Sequence, residues 1–170
     1  MGAGMWHPIP PEARAVRVNV VDGDLLDQQV DAIVNAWNRN VIPWWLLLPQ
    51  GVSGAIKRRG GTAPFREVAR HGPIPLGGAV HTGAGTLPFR GIVHVAGIDL
   101  LWRSSERSVR DSTANAVAVA VAHGYRTLAA PVIGAGSGGG SEAASLAWML
   151  DTAQALDAPL ALTIVRFRPS

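Results

Sequence analysis

Apolar and polar positions along this chain repeat with two different periods. Ala15–Val21 alternates with period two and is rich in valine, which predicts a strand, and Asp22-Gly23-Asp24 punctuates it. A second apolar run, Val30–Asn35 around Ala32-Ile33-Val34, predicts a strand that stops at Asn35. Ser53–Arg59 predicts a short helix with Ser53 as its N-cap. Thr62 is placed to cap another, with Pro64 in its first turn and an end near His71-Gly72. Gly77–Thr82 and Gly91–Ala96 predict two strands with a glycine-rich connection. Ser104 or Ser105 can cap a long helix to His123, which Gly124 stops. Thr127–Ile133 predicts a strand, and Gly134–Gly140 a loop. Ser141 can cap a helix through Ala155, and Leu160–Phe167 predicts the final strand.

Strands and helices thus alternate along most of the chain. That order predicts the α/β class: a three-layer α/β/α sandwich around a mixed, mostly parallel sheet. Ligands of such sheets bind beyond the carboxyl ends of the strands. Asn35–Asn38 and Gly134–Gly140 stand at such ends. With 170 residues the chain suits one domain, expected over 15–170, preceded by a loose tail at 1–14.

Composition narrows the chemistry. Cysteine is absent, which excludes disulfides, thiol nucleophiles and thiolate zinc sites and fits a cytoplasmic protein. No stretch reaches the roughly 18 apolar residues of a membrane span; Trp44–Leu48 stops at Pro49, and Met1–Pro11 lacks a signal-peptide layout. The net charge of +3 is spread along the chain, with no basic run interleaved with aromatics, so nucleic acid is not the expected partner. The five histidines show no metal-ligand spacing, and no metal or cofactor is expected; His81 and His94 fall in strands and read as structural.

The glycine loop is the strongest chemical signal. Five glycines fall in the seven residues Gly134, Ala135, Gly136, Ser137, Gly138, Gly139 and Gly140, between Ile133 and a helix start. Glycines let a backbone approach a ligand closely, and N–H groups with a helix N-terminus favour a phosphate. The plain alternative is a connecting turn. Gly51-Val52-Ser53-Gly54 is a second loop-to-helix junction with the same capacity, and two such junctions suggest two phosphates. Asp24 can accept from an exocyclic amine or simply form a turn. Asn35 and Asn38 can hold a ribose diol or cap turns.

In order, these motifs resemble the macrodomain family. Gly23-Asp24-Leu25 and Asp31-Ala32-Ile33-Val34-Asn35-Ala36-Trp37-Asn38 match its opening, and Gly51-Val52-Ser53-Gly54-Ala55-Ile56 its first loop and helix. Gly77-Gly78-Ala79-Val80-His81-Thr82, Leu87-Pro88 and His94-Val95-Ala96-Gly97 follow, and Pro131–Gly140 falls where the family grips phosphate. The resemblance covers about residues 16–167. It implies that the chain binds ADP-ribose or an ADP-ribosylated macromolecule and hydrolyses mono-ADP-ribosyl adducts or O-acetyl-ADP-ribose. A non-catalytic ADP-ribose reader, or a binder of another nucleotide diphosphate or RNA, is the alternative.

The resemblance also implies roles. Asp24 would bind the adenine amine with the backbone of Leu25, and Phe167 would stack on the ring. Asn38 would hold the distal ribose and the attacking water. Gly51, Val52, Ser53 and Gly54, with residues 133–140, would wrap the diphosphate. Three departures stand out. Ser53 occupies the position of the usual aspartate, and Trp37 that of a small residue. Gly138 and Gly140 replace aromatics beside the distal ribose. Trp44 and Trp45, in an apolar insertion before Gly51, are then candidates for that missing wall, or else pack on the core or a partner subunit.

Overall fold

The computed structural model describes residues 14–46, 51–136 and 140–168. The expected tail lies outside these residues apart from Arg14, as do Ser137, Gly138 and Gly139 of the glycine loop. The elements are β1 (Arg17–Gly23), β2 (Ala32–Trp37), α1 (Gly51–Gly60), α2 (Ala63–Ala69), β3 (Ala79–Thr82), β4 (Gly91–Ala96), α3 (Glu106–Ala122), β5 (Thr127–Pro131), α4 (Glu142–Gln154) and β6 (Ala161–Phe167). Short 3-10 turns occupy Leu25–Asp27 and Trp44–Leu46.

The strands form one six-stranded sheet in the order β1-β6-β5-β2-β4-β3. All pairings are parallel except β3 with β4, which puts the antiparallel strand at an edge. Alternate residues of β2 feed two separate cores. Ala32 and Val34 face the α3–α4 side, with Val109, Val117, Met149 and Ala153. Ile33 and Trp37 face the α1–α2 side, with Ile56, Phe65 and Val68. This is the expected three-layer sandwich. The central strands are apolar on both faces because both are covered.

Several boundaries differ from the pattern reading, each for a local reason. β2 runs on to Trp37, because Ala36 and Trp37 pair with Val95 and Ala96 and the Trp37 ring is buried 5.3 Å from Phe65. Asn35 is therefore inside the strand and not at its end. β5 stops at Pro131, which cannot donate to a ladder. β3 begins at Ala79, since Gly77 adopts a φ of +83° in the preceding turn. Ser53 is not an N-cap: α1 starts at Gly51, whose φ of +57° turns the chain into the helix. Thr62 precedes α2 without capping it through its side chain. Ser105 caps α3 in a reciprocal box with Ser108, and Ser141 caps α4 as expected.

Phe65 is fully buried and joins Trp37 to His94 through ring contacts at 5.3 and 6.2 Å. Phe65→Ala should cost about 3–5 kcal/mol of unfolding free energy in urea titrations. A loss under about 1 kcal/mol would mean that this core is loosely packed.

Candidate functional site

The parallel arrangement gathers the carboxyl ends of five strands, β1, β6, β5, β2 and β4, on one edge of the sheet. Gly23 pairs with Phe167, so Asp24 and Phe167 emerge side by side from β1 and β6. The ends of β5 and β2 follow in the sheet order. Phe167 is 64% exposed, which excludes the core role that a terminal aromatic suggests and leaves its ring open for stacking. Asp24 caps the Leu25–Asp27 turn, its Oδ1 accepting from Leu26 N at 2.8 Å. Its Oδ2 lies 4.0 Å from Arg59, which also meets Asp27 at 3.4 Å. The Leu25 side chain is buried, and its N–H, at the first position of the turn, has no partner within the turn.

Two glycine junctions border the middle of this edge. Gly51 and Val52 open α1 and are at least partly exposed, while Gly54 is buried. The second junction is held from below. Ile133 is buried and its N–H points at Met149 Sδ, 3.3 Å away. Gly134, at φ +84°, accepts from Gly140 N at 3.2 Å and from Ser104 Oγ at 3.3 Å. A side chain at Gly134 would meet Ser104 at 2.8 Å, so the close approach requires glycine. Ala135 and Gly136 rise toward solvent. Arg168 and Glu142 close the edge near Phe167 with a 2.7 Å ion pair, which holds the Glu142 carboxyl below its usual range.

The two asparagines separate into different roles. Asn38 is 7% exposed, and its Oδ1 accepts from Asn40 N, closing the turn after β2. Among the described residues its Nδ2 has no hydrogen-bond partner. Asn35 is fully buried. Its Nδ2 lies 3.0 Å from His94 Nδ1, and its Oδ1 accepts from Ser53 Oγ at 2.9 Å. The expectation that Asn35 touches the ligand is corrected on this point, because both ends of its amide are occupied inside the protein. His94 in turn places Nε2 2.8 Å from Thr82 Oγ1. Burial, with the neighbouring His71 and His81, lowers the His94 pKa to about 3.

The Trp44–Leu46 turn splits its two tryptophans. Trp44 is partly buried against the α1–α2 core, and its carbonyl accepts from Lys57 Nζ at 3.2 Å. Lys57 also lies over the rings of Phe65, Trp37 and Trp44 at 4.8, 5.6 and 5.9 Å, and burial lowers its pKa. Trp45 is 67% exposed, and both tryptophans line a groove with Asn40, Val41 and Ala69. Pattern reading did not single out Lys57 or Arg59. Their place on α1, between one and two turns beyond Ser53, was the available signal.

The Macro domain family profile matches residues 34–149. The O-acetyl-ADP-ribose deacetylase of Citrobacter rodentium is 35% identical over 137 residues, 76% of this chain and 73% of that protein. A point mutant of the Oceanobacillus iheyensis macrodomain, solved with ADPR, superposes with a TM-score of 0.74 at 24% identity, over 88% of this chain and 84% of that one. The Trypanosoma brucei macrodomain in complex with ADP-ribose superposes with a TM-score of 0.75 at 22% identity, over 90% of this chain and 65% of that one. The chain belongs to the macrodomain family.

His94 supplies a pH test of this buried arrangement. Its pKa in the fold lies below the 6.5 of a free histidine, so its contribution is complete above pH 6.5 and is lost as pH falls toward about 3. His81, also lowered by burial, acts in the same direction. Stability should therefore fall below pH 6.5, by up to about 1.4 kcal/mol per pH unit from His94 alone. Urea midpoints at about pH 6.5 and about pH 5 measure this, and equal midpoints would contradict it.

Proposed function

We propose that this chain binds ADP-ribose along the gathered strand ends and hydrolyses O-acetyl-ADP-ribose or mono-ADP-ribosyl adducts. The observation that carries the reading is the β1–β6 register, which pairs Gly23 with Phe167 and so brings Asp24 out of β1 next to the end of β6, where the Phe167 ring is exposed. A carboxylate next to an open aromatic face suits an adenine, with its exocyclic amine at the edge and its π face free to stack. Leu25 N–H completes the adenine edge. Beyond it, the N–H groups at Gly51–Gly54 and at the Gly134 junction, with the start of α4, suit a diphosphate. Asn38 Nδ2 then meets the distal ribose. Nothing in this mode of binding calls for a cofactor.

Hydrolysis of the ester adds water across the acyl C–O bond and gives acetate and ADP-ribose; at a glycosidic adduct, water adds at the anomeric carbon and releases the acceptor. Asn38 and loop N–H groups orient the reacting end, and backbone dipoles stabilise charge on the diphosphate. The curated relatives named as deacetylases support the hydrolytic half of the reading. Ser53 favours a second reading, a non-catalytic reader, because it carries no charge to activate water. The cysteine-free composition supports a cytoplasmic setting. Among the described residues, no helix is long and apolar enough to cross a membrane.

Incubation with O-acetyl-ADP-ribose and with a mono-ADP-ribosylated protein separates the two readings: released acetate or ADP-ribose above the blank is expected, and none from either substrate would leave the reader. Asp24→Ala should weaken ADP-ribose binding about tenfold or more, the worth of a hydrogen bond to a charged group. Unchanged affinity would remove the adenine assignment. Trp45→Ala should lower turnover if the exposed ring walls the distal ribose, and unchanged affinity and turnover in both Trp44→Ala and Trp45→Ala would assign the turn to packing alone.

A further inference from the structure

The hydrogen bonds that cross β3, β4, β2 and α1 have one self-consistent direction. A carbonyl oxygen only accepts, so the Thr82 hydroxyl donates to Gly83 O at 2.9 Å. Its oxygen must then accept at the 2.8 Å contact with His94 Nε2, and that nitrogen carries the ring proton. A neutral imidazole has one N–H, and the low pKa of His94 keeps it neutral at physiological pH. Nδ1 is therefore an acceptor, and Asn35 can satisfy it at 3.0 Å only with its NH2 group. The amide oxygen of Asn35 must face α1, where Ser53 Oγ donates to it at 2.9 Å. Each step fixes the next, from a backbone carbonyl at the sheet edge to a half-buried hydroxyl on the first turn of α1.

We infer that the Thr82–His94–Asn35 chain commits the only Ser53 hydroxyl proton inward and makes Ser53 Oγ an obligate hydrogen-bond acceptor for a hydroxyl donor in the cleft. This rests on the reading that the cleft takes ADP-ribose. The donor is either a hydroxyl of the distal ribose or the attacking water. A carboxylate is likewise a pure acceptor, so Ser53 supplies the directional part of the role of the family aspartate without its charge. The same direction excludes Ser53 as a nucleophile: its proton rests on an amide oxygen, which is not a base able to take it. Asn35, His94 and Thr82 are positioning residues that act through Ser53.

The direction of the chain has a spectroscopic signature. Long-range 1H–15N spectra of the His94 ring in the whole protein should report the Nε2–H tautomer. Ser53→Ala should either raise the ADP-ribose Kd with kcat unaffected beyond binding, which identifies a ribose hydroxyl, or lower kcat at unchanged Kd, which identifies water. A loss of about fivefold is expected from one hydrogen bond, and Ser53→Thr, which keeps the oxygen, should recover most of it. Thr82→Val removes the acceptor of Nε2–H. His94 should then switch to Nδ1–H, the Asn35 amide should turn over, and Ser53 should point its proton into the cleft. The parameter impaired in Ser53→Ala should be impaired in Thr82→Val although Ser53 is intact, and Thr82→Ser should restore both the tautomer and that parameter. A native Nδ1–H tautomer in a protein that binds ADP-ribose overturns this inference alone, as does a Ser53→Ala variant with native Kd and kcat. A native chain that does not bind ADP-ribose overturns the binding reading and this inference with it.

Discussion

A buried imidazole has to find a partner for each ring nitrogen, and in this protein that requirement organises the wall of the cleft. His94 is enclosed on β4 and satisfied by Thr82 on one side and Asn35 on the other. An unpaired polar group at that depth costs about 1–3 kcal/mol, so each neighbour keeps one polar group turned to the ring and has only the other to offer elsewhere. Asn35 is thereby taken out of the cleft and Ser53 is put into contact with it from α1. The same pairing ties the first turn of α1 to the sheet through Ser53, and the Phe65 ring, which also meets Trp37, lies 6.2 Å from His94.

The binding edge itself depends on a simpler constraint. Parallel strands end together, so residues distant in sequence become neighbours wherever strands are adjacent. β1 and β6 bring Asp24 beside Phe167, and β5 lies between β6 and β2. The end of the edge at Asp24 and Phe167 is therefore built from side chains, and its centre from backbone N–H groups at helix starts. Under the proposed function, binding draws on the whole edge and hydrolysis on the first junction, where a neutral serine stands in the hydrogen-bond chain.

Much of the fold was legible because its signals are local. Valine-rich alternation located β1, capping serines located α3 and α4, and glycines marked both junctions. Asp24 and Asn38 stood out because their turn chemistry is written in adjacent residues. The misreadings concern contacts that sequence spacing does not encode. Asn35 looked like a strand-end ligand because its partner His94 lies 59 positions away. Ser53 looked like a helix cap because the positive φ that lets α1 start at Gly51 is not visible as a pattern. Trp37 looked like an oddity in a binding motif, whereas it extends β2 and fills the α1–α2 core.

The central claim is that the ligand lies along the carboxyl ends of the strands. Backbone 1H–15N resonances followed during titration with ADP-ribose test it most directly. The account predicts saturable shifts at Leu25, Gly51, Val52, Gly134 and Phe167, with His123, Tyr125 and Arg126 at the opposite end of the sheet unmoved. No shifts, or shifts concentrated around Tyr125, would contradict it.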